Sequence, residues 1–228
     1  MSSTPASSLH VIVLAAGASV RLGEPKQLVK LDGRPLLHTI VTRAVALAGH
    51  AVTVVVGAHA QSVTQLLKHS PASLIINRQW EEGLSASIRA GVAALPPACD
   101  AVLLMLADQV AVTADDLKRL ASVWKGQDTV IAASLYNGVA GVPAIFPRWC
   151  FSALMGLRGD HGARGLLRRY RDRVALVPMP NAAVDLDTPE QLADLRRTLE
   201  QAAPQPILLH KTNGAAPHVP DEGFTLNS

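Results

Sequence analysis

The sequence predicts an α/β fold of three layers, with a mainly parallel, doubly wound sheet between two layers of helices. Three observations carry that prediction. Short runs rich in Val, Ile and Leu recur at 10–14, 51–56, 73–76, 101–106, 129–133 and 174–177, and runs of this kind are typical of strands buried on both faces. Helical patterns fill most of the gaps, and regular alternation of strand and helix winds a parallel sheet. Hydrophobic residues make up 49% of the 228 positions but aromatic ones only 4%. The core is therefore aliphatic, as expected where Ala- and Leu-rich helices cover parallel strands.

Each element has its own local reason. Pro35 stands where a first helical turn begins and Gly49 where it ends, which predicts a helix over 36–48. Ser85 is a candidate N-cap for a helix over 86–94. Thr113 with Asp116 forms a capping box for a helix through Trp124, and Thr188, Pro189 and Gln191 repeat that logic for a last helix. The length suits a single domain over 9–200. Residues 1–8 are rich in Ser, and 201–228 are rich in Ala, Pro and polar residues without a period, so both are expected to be poorly ordered. Within the second tail only 207–209 is apolar enough to cover a partner or neighbouring subunit.

Composition removes several classes of function. The net charge is +3 with a pI near 9.1, and Lys/Arg runs interleaved with aromatics are missing, which argues against a nucleic-acid partner. Basic residues do concentrate at Arg158, Arg164, Arg168, Arg169, Arg171 and Arg173, where phosphate recognition and a solvated helix face are both open readings. Cys99 and Cys150 have no metal-like spacing, and 1–8 is uncharged and unlike a signal peptide, so a reducing, cytoplasmic setting is expected. No apolar run reaches the length of a membrane span, even around 41–56.

Ligands of wound sheets bind beyond the carboxyl ends of strands. That rule selects 15–26, 77–87 and 107–110. The first segment belongs to the string Leu14-Ala15-Ala16-Gly17-Ala18-Ser19-Val20-Arg21-Leu22-Gly23-Glu24-Pro25-Lys26-Gln27. Gly17 and Gly23 let the backbone approach phosphate oxygens, while Arg21 and Lys26 supply charge. A dinucleotide fingerprint needs G-x-G-x-x-G entering a helix, and a P-loop ends in Gly-Lys-Ser/Thr; neither is present. Pro25 pushes Glu24 towards extended geometry, so the loop should lie across a ligand such as a nucleoside triphosphate. Asp108 closes the apolar run 101–107 and puts a carboxylate at a central strand tip.

The string resembles the Leu-Ala-x-Gly-x-Ser-x-Arg-x-Gly-x-x-Lys signature of the MobA-like nucleotidyltransferases. It is most similar to the branch that makes the cytosine dinucleotide form of the molybdenum cofactor. The resemblance implies a Rossmann-like fold of the nucleotide-diphospho-sugar transferase type and nucleotide contacts from Leu14, Ala15, Ala16, Gly17, Ser19, Arg21 and Lys26. Gly83-Leu84-Ser85-Ala86-Ser87-Ile88 resembles a second nucleotide segment, which adds Gly83, Ser85 and Ser87. Asp108-Gln109 resembles the opening of the family's Asp-Gln-Pro and departs from it at Val110. Segment 184–190 resembles its Asp-Ile-Asp-Thr-Pro-Glu. Mg²⁺ is implied on Asp108, completed by Asp185 or Asp187, which alternation places on one side of an extended piece, with Asp185 the first choice.

Gly141-Val142-Pro143 and Gly159-Asp160-His161-Gly162-Ala163-Arg164 resemble acceptor-side elements. Gly141, Pro143, Gly159, Asp160 and Arg164 are thereby implied, with Arg164 paired to the acceptor's phosphate. That phosphate is ionised at neutral pH and needs no base, so His161 is read as peripheral. The implied reaction joins CMP from CTP to molybdopterin and releases pyrophosphate, with Arg21, Lys26 and Asp108 catalytic. Rivals are a GTP-using enzyme, a sugar- or polyol-phosphate nucleotidyltransferase, and a chaperone handing finished cofactor to a client molybdenum hydroxylase. The loop pattern disfavours a dinucleotide-dependent oxidoreductase.

Overall fold

The computed structural model describes residues 8–202, with only the backbone described over 198–202. The expected tails and the stretch 207–209 lie outside the described residues, apart from Ser8 and residues 201–202. Ser8 departs from the expected disorder: its N–H donates to Asp100 Oδ2 at 2.9 Å and its hydroxyl to the Ala98 carbonyl at 2.6 Å.

Strand β1 (Leu9–Ala15) leads into the long loop and a short hairpin, β2 (Lys30–Leu31) and β3 (Arg34–Pro35), before α1 (Leu36–Ala48). Then come β4 (Val52–Val56), α2 (Ala60–Leu66), β5 (Ser73–Ile76), α3 (Leu84–Ala93), β6 (Ala101–Leu106) and α4 (Ala114–Trp124). The chain closes with β7 (Ile131–Tyr136), β8 (Val139–Pro147), α5 (Phe151–Met155), α6 (Arg164–Arg169), β9 (Val174–Pro178) and α7 (Pro189–Ala202). The seven-stranded sheet has the order β5-β4-β1-β6-β8-β7-β9.

Period-two alternation along β1 divides the core into two layers. Val11 and Val13 pack with Leu37 and Ile40 of α1, Leu117 and Leu120 of α4 and Leu192 of α7. Ile12 and Leu14 point the other way, into Ile88 of α3, Leu154 of α5 and Leu166 and Leu167 of α6. Continuous burial of β4, every residue of which is enclosed, follows from being covered on both faces.

The predicted helix starts hold with two adjustments. Thr113 and Asp116 form the full reciprocal capping box. Pro35 is the last residue of β3 rather than the first of α1, which nevertheless spans 36–48. Helix α3 begins earlier than expected, and Gly83, not Ser85, sits at its N-cap.

One central strand escaped prediction. β8 runs antiparallel to both β6 and β7, although its sequence contains Gly141, Pro143 and Pro147, which read as breakers. The sheet tolerates Pro143 because the register slips between Ala133 and Ser134 of β7, whose partners are Ala144 and Gly141, and Pro147 stands at the end of the strand. Val142 and Pro143 occupy the resulting bulge, where no ladder hydrogen bond is required. The other pairings, β1 with β4 and β6, β4 with β5 and β7 with β9, are parallel.

Cys99 and Cys150 are buried and unpaired, and burial pushes the Cys150 thiol up to about 12. No helix among the described residues is long and apolar enough to cross a membrane.

Candidate functional site

At the carboxyl ends of β1 and β6 the chain opens a cleft of about 570 Å³. Leu14, Ala15, Ala16, Gly17, Arg21 and Lys26 line one wall, and Gly83, Ser87, Asp108, Asp160 and Asp187 contribute to the rest. A Cβ at Gly17 would meet nothing within 4 Å, so the space above the loop is open.

The cleft floor is a charge network. Lys26 Nζ donates to Asp108 Oδ2 and to Asp187 Oδ1, both at 2.9 Å, and an Arg21 guanidinium nitrogen donates to Asp187 Oδ2 at 2.7 Å. Burial works against the Lys26 ammonium, but Asp108 and Asp187 outweigh it and hold its pKa above the ordinary value. Burial likewise opposes ionisation of Asp187, yet hydrogen bonds and charge from Lys26 and Arg21 hold its carboxyl below the usual range. Asp185 differs: burial, then the charges of Asp108 and Asp187, push it up to about 6 despite Lys26 and Arg164. Asp108 Oδ1 is buried with no hydrogen-bond partner among the described residues.

These side chains are fixed from behind. Gln27 Nε2 donates to the carbonyls of Ala15 and Gly17 at 3.0 and 2.9 Å, pinning the start of the loop. Gln109 Nε2 donates to the carbonyls of Val142 and Ala182 at 2.7 and 3.0 Å, and Gln109 forms a bridge with Asp185. The strand tip bearing Asp108, the bulge of β8 and the segment bearing Asp185 are thus joined at one amide. Both glutamines belonged to recognised motifs, but these clamping roles depend on folded backbone positions that the sequence does not display.

The predicted residues divide. Ser19 does not line the cleft; its hydroxyl accepts the Lys26 backbone N–H at 3.1 Å. Ser85 is fully buried and donates to the Gly159 carbonyl at 2.5 Å, which binds α3 to the 159–160 turn. Ser87 faces the cleft and accepts from Asn77 Nδ2 at 3.1 Å. Asp160 lines the cleft as well, and its carboxylate accepts the Leu84 N–H at 3.3 Å. Gly83 has φ +97°, and a Cβ there would stand 2.8 Å from Asp160 Cα, so a side chain would be strained twice over.

Gly141, Pro143, Gly159 and Arg164 lie outside the cleft wall. Gly141 packs on the ring of Tyr136, whose hydroxyl receives an Arg164 N–H at 3.3 Å. The expected trio Asp108, Asp185 and Asp187 does not close into a ready-made cage: no group of three or more acidic, His or Cys side chains among the described residues is arranged to hold a metal. The Lys26 ammonium stands between two of them instead.

Sequence reasoning missed Trp80 and Glu81, which complete the wall. Trp80 is held by Gly57, where a Cβ would lie 2.6 Å from both Trp80 Cβ and the Ala16 carbonyl. The signal was indirect: the strand-end rule selects 77–87 as a whole, and the motif resemblance within it begins only at Gly83.

Comparison with known proteins bears on the family and the fold. Nicotine blue oxidoreductase of Paenarthrobacter nicotinovorans is 29% identical over 192 residues, covering 79% of this chain and 93% of that protein. Purine catabolism protein PucB of Bacillus subtilis (strain 168) is 29% identical over 199 residues, covering 82% and 96%. The crystal structure of Rv0371c from Mycobacterium tuberculosis superposes with a TM-score of 0.73 at 27% identity, covering 84% of this chain and 99% of that one; a manganese complex of it is also known. Molybdopterin-guanine dinucleotide biosynthesis protein A of Archaeoglobus fulgidus, 17% identical with a TM-score of 0.62 over 84% and 99% of the two chains, shares the fold. The MobA-like NTP transferase domain matches residues 11–174, which take in the glycine loop, Asp108 and the 159–164 turn, and the chain belongs to that family.

Proposed function

We propose that the protein is a Mg²⁺-dependent cytidylyltransferase that moves CMP from CTP to the phosphate of a molybdopterin-type cofactor in the cytoplasm. The observation that carries the transfer reading is the Lys26 ammonium shared between Asp108 and Asp187 beneath the loop that delivers Arg21. Cations for a polyphosphate and carboxylates for a metal stand side by side in one cleft. The domain over 9–200 supplies all of these groups.

In the reaction an oxygen of the acceptor phosphate forms a bond to the nucleotide α-phosphorus. The bond to the β-phosphate bridging oxygen breaks, and pyrophosphate leaves with that electron pair. The attacking oxygen is already ionised, so no general base is required. The residues of the chain position and neutralise: the loop N–H groups cradle phosphate oxygens, and Arg21 and Lys26 hold charge against the departing pyrophosphate. A metal ion fits here because Asp108 Oδ1 is buried without a partner among the described residues and Asp185 and Asp187 lie within electrostatic reach. Mg²⁺ is commonly held by one or two carboxylates and substrate phosphates, so a closed cage is unnecessary. When bound, the metal supplies positive charge across the phosphates; Asp108 would hold it with Asp185 or Asp187. The manganese complex of the Rv0371c relative supports a divalent ion.

The narrower choice of CTP and molybdopterin rests on the Gly-Asp-x-Gly-Ala-Arg element at 159–164, with a molybdenum hydroxylase as the natural recipient of the product. Pyrophosphate release with Mg²⁺ and molybdopterin cofactor, compared across CTP, GTP, ATP and UTP, tests it. CTP alone is expected to support release, and GTP alone would reassign the enzyme to guanylyl transfer. Release only with a sugar or polyol phosphate would replace the acceptor. Lys26→Ala is expected to lower kcat more than nucleotide affinity, because the charge it meets grows in the transition state. A second reading, redox chemistry on this framework, is raised by the near full-length similarity to nicotine blue oxidoreductase. Consumption of a reduced nicotinamide cofactor, with no pyrophosphate from any nucleotide, would favour it.

A further inference from the structure

The loop that follows β1 has little packing of its own. Val20 at its tip is 83% exposed. Ser19 has a left-handed backbone with φ +58°, a conformation that costs a residue with a side chain free energy and persists only where its surroundings fix it. The loop is tied instead by its carbonyls. Gln27 holds those of Ala15 and Gly17, the Ala58 N–H donates to that of Ala16 at 3.1 Å, and His59 Nε2 meets that of Ala18 at 3.1 Å. Four successive acceptors are thereby engaged from two sides, by a side chain within the motif and by the turn between β4 and α2.

A peptide unit is planar and trans, so its N–H points opposite to its carbonyl. Holding the carbonyls of 15–18 therefore orients the N–H groups of 16–19. The N–H groups of Gly17, Ala18, Ser19, Val20 and Arg21 have no acceptor among the described residues, and all of these residues except Ser19 line the cleft. Successive N–H groups meeting at a left-handed residue are the elements of an anion-binding concavity.

His59 is the side chain in this set that lies outside the motif. It stands at the N-cap of α2, where Ser, Thr, Asp or Asn would turn back on the helix, yet its side chain makes no capping bond. The imidazole reaches instead to Ala18, 41 positions away. A carbonyl oxygen only accepts, so Nε2 carries the proton. Ser19 is held from its far side by the Leu22 N–H on its carbonyl and the Lys26 N–H on its hydroxyl, both at 3.1 Å. Among the described residues, His59 alone holds the carbonyl of the peptide that enters it.

We propose that His59 is a positioning residue for nucleotidyl transfer: by fixing the Ala18–Ser19 peptide it presets the loop amides that receive the triphosphate. This role rests on the transfer reading of the cleft. Its effect falls on binding, because the phosphates meet these amides in the ground state as well as in the transition state. Lys26 differs, since the charge it meets grows as pyrophosphate departs.

Two substitutions isolate the donor. His59→Leu keeps bulk and removes it, and His59→Gln restores an N–H at a similar reach. Calorimetric titration of the full chain with CTP, GTP, ATP and UTP in the presence of Mg²⁺ gives affinities, and pyrophosphate release with molybdopterin cofactor gives kcat and KM. For the nucleotide that the wild type prefers, His59→Leu is expected to weaken binding and raise KM by about tenfold, the worth of one hydrogen bond, with kcat little changed. His59→Gln should recover most of that loss, which a general loosening of the fold would not explain. Should the leucine variant not fold, His59→Ala takes its place. A donor-free variant that binds as tightly as the wild type, a loss confined to kcat, or a glutamine variant no better than leucine would each overturn the proposal and leave the transfer reading standing. Failure of the wild type to bind any of the four triphosphates would remove the transfer reading and the role of His59 with it.

Discussion

Asp108 and Asp116 stand eight positions apart on the same excursion from β6, and the protein treats their carboxylates in opposite ways. Asp116 accepts from the Thr113 N–H at 2.9 Å, the Thr113 hydroxyl at 2.8 Å, Asn181 Nδ2 at 2.9 Å and the Arg119 guanidinium. Asp108 has one oxygen on Lys26 and another buried with no partner among the described residues. A satisfied buried acid contributes to folding, whereas an unsatisfied one costs stability and persists where a ligand completes it. The two acids therefore mark where this chain spends side chains on structure and where it reserves them.

The sharpest way to break the comparison is Asp108→Ala. Turnover in the pyrophosphate assay is expected to fall by about 10²–10³-fold, with the thermal midpoint held, because Lys26 keeps Asp187. Retained Mg²⁺-dependent turnover would remove Asp108 from the reaction. Asp116→Ala should do the converse, costing about 1–3 kcal/mol of stability through the lost cap and stranded donors. In a chain of this size that is a few degrees per kcal/mol in Tm, and kcat per folded molecule should not change.

The pH dependence sharpens the same contrast. Burial opposes the Asp116 charge, but hydrogen bonds from Thr113, Asn181 and Arg119 prevail and hold its carboxyl below the usual carboxylate range. Its contribution is therefore present above the unfolded pKa and lost as pH falls through the lower folded one. Urea midpoints of wild type and Asp116→Asn should differ most near neutrality and converge in acid below that range. Gly83→Ala comes next, at about 1–3 kcal/mol from strained backbone and contact with Asp160; chemical denaturation would measure it. Asp115→Ala should be the smallest effect. That neighbour of Asp116 pairs with Lys118 at the surface, its side chain 86% exposed, and such pairs are worth about 0.5 kcal/mol or less.

How much of this was legible follows the range of the interactions. The β1 loop, the Thr113 cap and the aliphatic strands are written in neighbouring residues, so periodicity and capping chemistry disclosed them. Asp108 was found because a strand tip is a local event. β8 was hidden because Pro143 is tolerated only through a register slip against β7, which is a property of the pair. Ser85 looked like a cap because its partner, the Gly159 carbonyl, lies 74 positions away. Alternation treats Asp185 and Asp187 alike, so their inequality was invisible. It arises from Arg21 and Lys26 meeting Asp187, while Asp185 feels the charges of two other acids, Asp108 and Asp187.

Gly57 has a consequence for redesign. It touches no cleft surface itself, yet it lies where the Ala16 carbonyl and Trp80 come together, and both of those residues form cleft walls. A methyl group at 57 has no room, so Ala16 or Trp80 must yield to it. The width of the opening is thus set from outside the cavity, by an atom that is missing. An engineer seeking to admit a different base could begin there, altering the spacing of the walls while leaving every charged group of the floor in place.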